Sequence, residues 1–327
     1  MRTAFVKTLT ALAREHSDVM LLTGDLGFTV LEEFRDALPG QYLNAGVAEQ
    51  NMIGVAAGLA MSGKRVFVYS IVPFVTFRCL EHTRNDICYH DLPVTIVGVG
   101  GGYSYGHMGS THHALEDIAV LRSLPNMTVA CPGDPTEAEA LVAACAAHRR
   151  PCYLRLGKAG EPRLHASPLS LTLGKAIQMR DGDACTLVAT GNMLETAVKT
   201  ADLLATRGVQ ARVLSMHTVK PIDIDAIKRA AKETGMIVTI EEHSVVGGLG
   251  SAVAETLSLH DLRVRHLLCS APDAFATCVG SQDYFRGLAG LTPDRIAEKI
   301  EGMLGSSKTP AVARVGRTKH PSKALSR

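Results

Sequence analysis

Glu49 is the one carboxylate in a run of small and apolar residues, Gly46-Val-Ala-Glu-Gln-Asn-Met-Ile-Gly-Val-Ala-Ala-Gly-Leu-Ala. Val47, Ile53, Val55, Ala56, Leu59 and Ala60 recur at roughly helical spacing, and Gly63 supplies a stop. The small residues Gly46, Ala48, Gly54, Ala56, Ala57 and Gly58 let another backbone pack very close. A carboxylate in such surroundings is costly unless it is paired or hydrogen-bonded. Glu49 is therefore either a satisfied structural acid or a working one.

Other residues able to do chemistry fall in three places. Phe74 and Phe77 are three apart and share a helix face, a spacing that by default means core. The apolar run Leu92-Pro-Val-Thr-Ile-Val-Gly-Val leads into Gly100-Gly-Gly-Tyr-Ser-Tyr-Gly-His-Met-Gly-Ser-Thr-His-His-Ala-Leu-Glu-Asp. A Gly-rich loop at the carboxyl end of a parallel strand is where open α/β sheets place ligands, although glycines alone mark only a turn. Arg155 sits in the strand begun at Cys152 and reads by itself as a surface charge or salt-bridge partner. Asp25, in Gly24-Asp-Leu-Gly, reads by itself as a turn and helix-start residue.

The elements that must position these groups alternate along the chain. Residues 3–16 form an amphipathic helix. Strands read at Val19–Thr23, Lys64–Ser70, Leu92–Val99, Met127–Cys131 and Cys152–Lys158, with a helix over Pro135–His148 and another running from the Pro73 switch to about Tyr89. Continuous apolar strands belong to a parallel sheet covered on both faces. The pattern loosens near Ala159, and Pro162, Pro168 and Arg180-Asp-Gly-Asp mark an inter-domain connection. A second alternating unit follows, with strands at Cys185–Thr190, Ala211–Met216, Met236–Glu241 and Val264–Cys269 and helices at Met193–Arg207, Asp223–Thr234 and Asp294–Leu304. The domains read as 1–165, a linker at 166–183, 184–305, and a basic tail at 306–327 without periodicity, expected to be disordered.

The totals exclude several classes. With 327 residues the chain is comfortable for two domains. Lys and Arg number 34 against 32 Asp and Glu, which argues against nucleic acid or a membrane surface as the main partner. No apolar run reaches the roughly 18 residues of a membrane span, and the polar start lacks a signal-peptide profile. A cytoplasmic location is expected. The eight cysteines are scattered, with no Cys-x-x-Cys, and read as small buried fillers.

The Glu49 segment closely resembles the pyrimidine-binding segment of the thiamine-diphosphate enzymes of the transketolase group. Gly109-Ser-Thr-His-His-Ala-Leu-Glu-Asp, leading into Leu121-Arg-Ser-Leu-Pro-Asn, resembles that family's Gly-Pro-Thr-His-Gln segment and the helix after it. Thr190-Gly-Asn, Val219-Lys-Pro-Ile-Asp and Glu241-Glu-His-Ser-Val-Val-Gly-Gly-Leu-Gly resemble its C-terminal domain. The resemblance implies a pyrimidine-binding thiamine-diphosphate α/β fold followed by a transketolase C-terminal-like α/β domain. It implies that Glu49 contacts the aminopyrimidine ring nitrogen, that Phe74 or Phe77 stacks on that ring, and that Asp25 lines the cofactor edge near a subunit junction. His112 becomes the histidine at the donor's carbonyl oxygen, His113 takes the neighbouring Gln position, and Arg155 grips an anionic substrate tail. Glu242 and His243 read as structural.

Two departures matter. Phosphosugar transketolases carry an acid four residues before the histidine, where Met108 stands, and a phosphate-binding histidine about a dozen residues before it, near Gly100. Tyr103, Tyr105 and His107 are expected to form a replacement recognition set. The family's Gly-Asp-Gly metal site and diphosphate-binding domain have no counterpart, and the reading of Gly24-Asp-Leu-Gly as that site is rejected. The resemblance therefore implies the C-terminal (β) subunit of a split transketolase-like enzyme. Its N-terminal diphosphate-binding partner would hold the Mg²⁺ or Ca²⁺. An α2β2 assembly is expected, with self-association through the C-terminal domain and two-carbon ketol transfer from a ketose-type donor to an aldehyde. The competing readings are a 2-oxo-acid dehydrogenase β-type subunit, a deoxyxylulose-phosphate-synthase-like subunit, and a non-catalytic interaction subunit.

Overall fold

A computed structural model describes residues 1–166 and 168–305. The basic tail at 306–327 lies outside the described residues. Twelve strands are formed in chain order: β1 Val19–Thr23, β2 Tyr42–Asn44, β3 Arg65–Ile71, β4 Val94–Val99, β5 Thr128–Ala130, β6 Cys152–Leu156, β7 Ile177–Arg180, β8 Cys185–Ala189, β9 Ala211–Ser215, β10 Thr218–Lys220, β11 Met236–Ser244 and β12 Arg265–Ala271. They build a seven-stranded sheet of order β10-β5-β6-β4-β3-β1-β2 and a five-stranded sheet of order β12-β11-β8-β9-β7. All neighbours pair in parallel except the edge strands β10 and β7, which run antiparallel to β5 and β9.

The first sheet shows why its strands read as unbroken apolar runs. Side chains alternate across a strand, so Val66 and Val68 of β3 enter one core with Met52, Ile53 and Ala56 of helix Glu49–Met61. Phe67 and Tyr69 enter the opposite core, against Phe5 and Leu9 of helix Arg2–Glu15 and Leu141 of helix Pro135–His148. Both faces are covered, so most positions of the strand are apolar. Helix Pro135–His148 starts where the sequence places it: Pro135 opens the first turn and the Asp134 carboxylate accepts from the Glu137 N–H at 2.7 Å.

Three expectations are revised. The segment 166–183 is not a bare connection, because β7 supplies an edge strand to the second sheet; its four residues alternate apolar and polar, too short a signal among the flanking turns. Thr218–Lys220, sequentially inside the second unit, pairs with β5 of the first sheet, so the chain crosses between domains. The single helix expected up to Tyr89 is broken into Val72–Val75, Leu80–His82 and a π-helical turn at Thr83–Cys88.

The domains are locked by buried charge. Arg155 is 4% exposed, and its Nε donates to Asp117 Oδ2 at 2.7 Å. Its Nη2 donates to Asp117 Oδ1 at 3.2 Å, to Ala114 O at 2.8 Å and to Glu242 O at 3.1 Å. Burial by itself raises the Asp117 carboxyl; the Arg155 guanidinium and the Tyr153 hydroxyl override it and hold it below its usual value. Glu242 in turn accepts from the Tyr103 N–H at 2.6 Å, Gln282 Nε2 at 2.8 Å and Arg286 Nε at 2.6 Å. Replacing Arg155 by Met strands Asp117 as a buried unpaired charge. We expect about 3–5 kcal/mol lost in denaturant unfolding, and a smaller loss in Arg155→Met/Asp117→Leu, where both charges are gone.

Candidate functional site

Four loops gather at the carboxyl edge of the first sheet, the position where open parallel sheets bind ligands. They follow β1 (Gly24, Asp25), β2 (Ala45–Glu49), β3 (Val72–Arg78) and β4 (Gly100–His113). Helix Glu49–Met61 has no side-chain cap, and Glu49 opens it with its carboxylate at the positive end. Glu49 is 2% exposed. Its Oε2 accepts from Arg78 Nη1 at 2.9 Å, and the Ser70 hydroxyl stands 3.5 Å from Oε1. The β1 loop packs against the acid at Gly24, where an added Cβ would make only ordinary contact with the Glu49 Cγ at 3.5 Å.

Phe74 and Phe77 part company. Phe74 is half-buried beside the acid: the Arg78 guanidinium carbon lies 4.7 Å over its ring centroid, and the His112 ring meets it edge-on at 5.2 Å. Phe77 instead lines an apolar groove of about 390 Å³ with Pro73, Thr111 and Phe275. The break after Val75 turns the two rings onto different surfaces, which a continuous helix would not have done.

Tyr105 stands next to His112, ring centroids 6.3 Å apart, and packs over Gly100, where any side chain would collide with its ring. Gly100 also has a φ of 88°, so glycine is required there on both counts. Lys158 places its Nζ 5.0 Å from the Tyr105 ring centroid. The His112 Nδ1 contacts the Thr111 hydroxyl at 3.0 Å. Burial, reinforced by the neighbouring His113 and His107, lowers the His112 pKa below the usual histidine value, which favours the neutral ring at neutral pH.

The remaining expected residues lie elsewhere. Tyr103 is 4% exposed and stacks on Phe285 of the second domain at 5.0 Å, with His113 edge-on at 5.3 Å. Both rings are inter-domain packing, so Tyr103 does not stand with Tyr105 and His107 as a set; His107 is exposed. Arg155 is directed into the domain interface by Asp117 rather than toward His112, and the donors described above are spent there. Asp25 is exposed at φ 58°; its carboxylate accepts from Asn44 Nδ2 at 2.9 Å. Asn44 Oδ1 accepts the N–H groups of Asp25 and Gly46 at 3.0 Å each, tying the β1 loop to the loop before Glu49.

Sequence reasoning misses Arg78, Lys158 and Asn44. Arg78 is legible as a cation four residues after Phe74, one turn along the same face. Lys158 lies three residues beyond Arg155, the cation to which the sequence points instead.

This is the two-domain α/β class that carries a buried acid and an aromatic at the carboxyl edge of its first parallel sheet, and comparison with known proteins gives the family. Residues 1–160 match the model of the transketolase pyrimidine-binding domain, and 174–296 that of the transketolase C-terminal domain. The chain is 41% identical over 286 residues to one subunit of the apulose-4-phosphate transketolase of Phocaeicola vulgatus, covering 87% of this chain and 91% of that one. It is 38% identical over 297 residues to SqwH, a subunit of the 6-deoxy-6-sulfo-D-fructose transketolase of a Clostridium species, covering 90% and 92%. A solved structure, a split gene transketolase described as an inactive beta4 tetramer, superposes with a TM-score of 0.87 at 36% identity, covering 93% of this chain and 98% of that one. The chain belongs to the transketolase family. Among its described residues, no helix is long and apolar enough to cross a membrane.

The geometry around His112 is testable by titration. An NMR titration of its ring is expected to give a midpoint below the usual histidine value of about 6.5. His113→Gln and His107→Ala are each expected to move it upward, because each removes a neighbouring positive charge at low pH.

Proposed function

We propose that this chain is the pyrimidine-binding, C-terminal subunit of a two-subunit transketolase-type enzyme that uses thiamine diphosphate. The reaction is transfer of a two-carbon ketol unit from a ketose-type donor to an aldehyde acceptor. The observation that carries it is Glu49: a 2% exposed carboxylate at the sheet's carboxyl edge, linked through the Arg78 guanidinium to the Phe74 ring, on which the His112 imidazole stands edge-on.

The donor set fits an aminopyrimidine. A buried carboxylate and an aromatic face that one flat guanidinium already bridges suit a flat ring that carries nitrogen and amino groups, since the acid takes the polar edge and the aromatic takes the face. When bound, thiamine diphosphate supplies the carbon nucleophile that breaks and forms the carbon–carbon bond. Glu49 holds the proton at the pyrimidine ring nitrogen, and its burial keeps competing water away. Phe74 fixes the ring plane. His112, favoured in its neutral form, offers a ring nitrogen to the donor oxygen and can give or take a proton there.

The two relatives act, by name, on ketoses that carry a phosphate or a sulfonate. Lys158 is the cation that the site itself offers such an anionic end, on the Tyr105 side of His112, in the role expected of Arg155. The diphosphate and its Mg²⁺ or Ca²⁺ are assigned to an N-terminal partner subunit, with α2β2 assembly and self-association through the second domain, in the cytoplasm.

The test is co-purification with the partner subunit followed by calorimetric titration of thiamine diphosphate with Mg²⁺. The wild-type complex is expected to bind and to turn over a ketose donor, and Glu49→Ala to abolish turnover. Phe74→Ala is expected to weaken cofactor binding about tenfold, the scale of a lost aromatic stack, while Phe77→Ala leaves it within about twofold of wild type. A complex that binds no cofactor, or equal losses from the two phenylalanines, refutes this assignment.

A further inference from the structure

Glu49 is not bare in the chain by itself. Arg78 Nη1 donates to Glu49 Oε2 at 2.9 Å, and the same guanidinium lies over the Phe74 ring at 4.7 Å. A guanidinium is flat, carries N–H donors on its edge and stacks on aromatic faces. One group thus makes both contacts that the proposed function assigns to the aminopyrimidine: an N–H to the carboxylate and a face on Phe74. Among the described residues, the other Glu49 oxygen meets the Ser70 hydroxyl, at 3.5 Å.

We propose that Arg78 is a built-in placeholder, which fills the aminopyrimidine's position between Glu49 and Phe74 and must swing out before the cofactor's ring can enter. This rests on the thiamine-diphosphate reading above. Three features support an exchange rather than a fixed pair. The two partners differ sharply in exposure: the Arg78 side chain is 47% exposed and the Glu49 side chain 2%, so the acid is held and the arginine can leave into solvent. The Arg78 carbonyl accepts from Gln50 Nε2 at 2.9 Å, which anchors its backbone to the Glu49 helix while the side chain remains free to turn. Arg78 also lies in the stretch between two short helical pieces, Val72–Val75 and Leu80–His82, outside any regular helix that would dictate its rotamer.

The physical role follows. A buried carboxylate without a partner is costly, and Arg78 offsets that cost whenever the ring is absent. The same contact closes the site, so ligand affinity is reduced by the fraction of molecules in which the guanidinium has moved away. A purely structural ion pair would give stability without competition, and a cofactor ligand would add affinity. A placeholder gives stability and subtracts affinity.

The experiment measures thiamine binding to the full isolated chain by calorimetry, and thiamine diphosphate binding to the two-subunit complex, for wild type, Arg78→Ala, Arg78→Met and Arg78→Lys. Thermal melts are run in parallel. Arg78→Ala and Arg78→Met are expected to bind thiamine about tenfold more tightly than wild type while melting at lower temperature. Arg78→Lys, which keeps the charge without the flat face, is expected to fall between. Arg78→Met retains the aliphatic stem and serves if the alanine variant does not fold. Unchanged or weaker binding in Arg78→Met, in a complex where wild type still binds through Glu49, overturns the placeholder and leaves the enzyme assignment standing. Binding that is identical in Glu49→Gln, or absent from every variant and from the complex, overturns both.

Discussion

The buried pair between Arg155 and Asp117 is the constraint on which the site depends. Arg155 comes from the strand next to β4, and Asp117 opens the helix that ends the glycine-rich loop, so their pairing fixes both ends of residues 100–117. The same Nη2 that meets Asp117 also reaches the carbonyl of Glu242 in the second domain, whose carboxylate receives the Tyr103 N–H of the same loop. Gly102 shows how tight the junction is: its φ is 67°, and a side chain would sit 2.5 Å from Glu242 Oε1. A loop with this many glycines would be conformationally free in isolation. Here the second domain removes that freedom and sets where Tyr105 and His112 stand. A domain that supplies no residue to the Glu49 cluster thereby positions part of it.

Glu49 is handled differently. It is covered by the loops after β1 and β3, while Gly54 and Gly58 of its own helix face open space, and its charged partner is Arg78 alone among the described residues. Asp117 and Glu242 each have several donors and serve architecture. Glu49 has one strong donor, and that donor is half exposed. Glu49, with Arg78 as its one charged donor, lies at the carboxyl edge, whereas Asp117 and Glu242 lie at the domain junction.

Much of this is legible in the residues. The alternation of apolar runs and helical periods marks nearly all the strands of both sheets, because parallel strands covered on two faces must be continuously apolar. The Glu49 segment and the His112 segment announce themselves through composition and motif. The errors share a cause. Tyr103, His113 and Arg155 carry chemistry-bearing side chains in the right loops, yet a loop's sequence does not say which way each side chain turns. The short strands β2, β7 and β10 carry too few residues for a period to register.

What the sequence by itself determined is the longer strands and helices, their order, and the two segments that carry the acid and the histidine, since periodicity is a local property. Tertiary structure alone decided that Phe74 rather than Phe77 carries the guanidinium that pairs with Glu49, and that Arg155 is an internal tie while Lys158 lies over the Tyr105 ring. Each of these depends on where a neighbouring element, distant in sequence, removes water and offers a partner. Burial and pairing are properties of the assembled surfaces, and no local pattern encodes them.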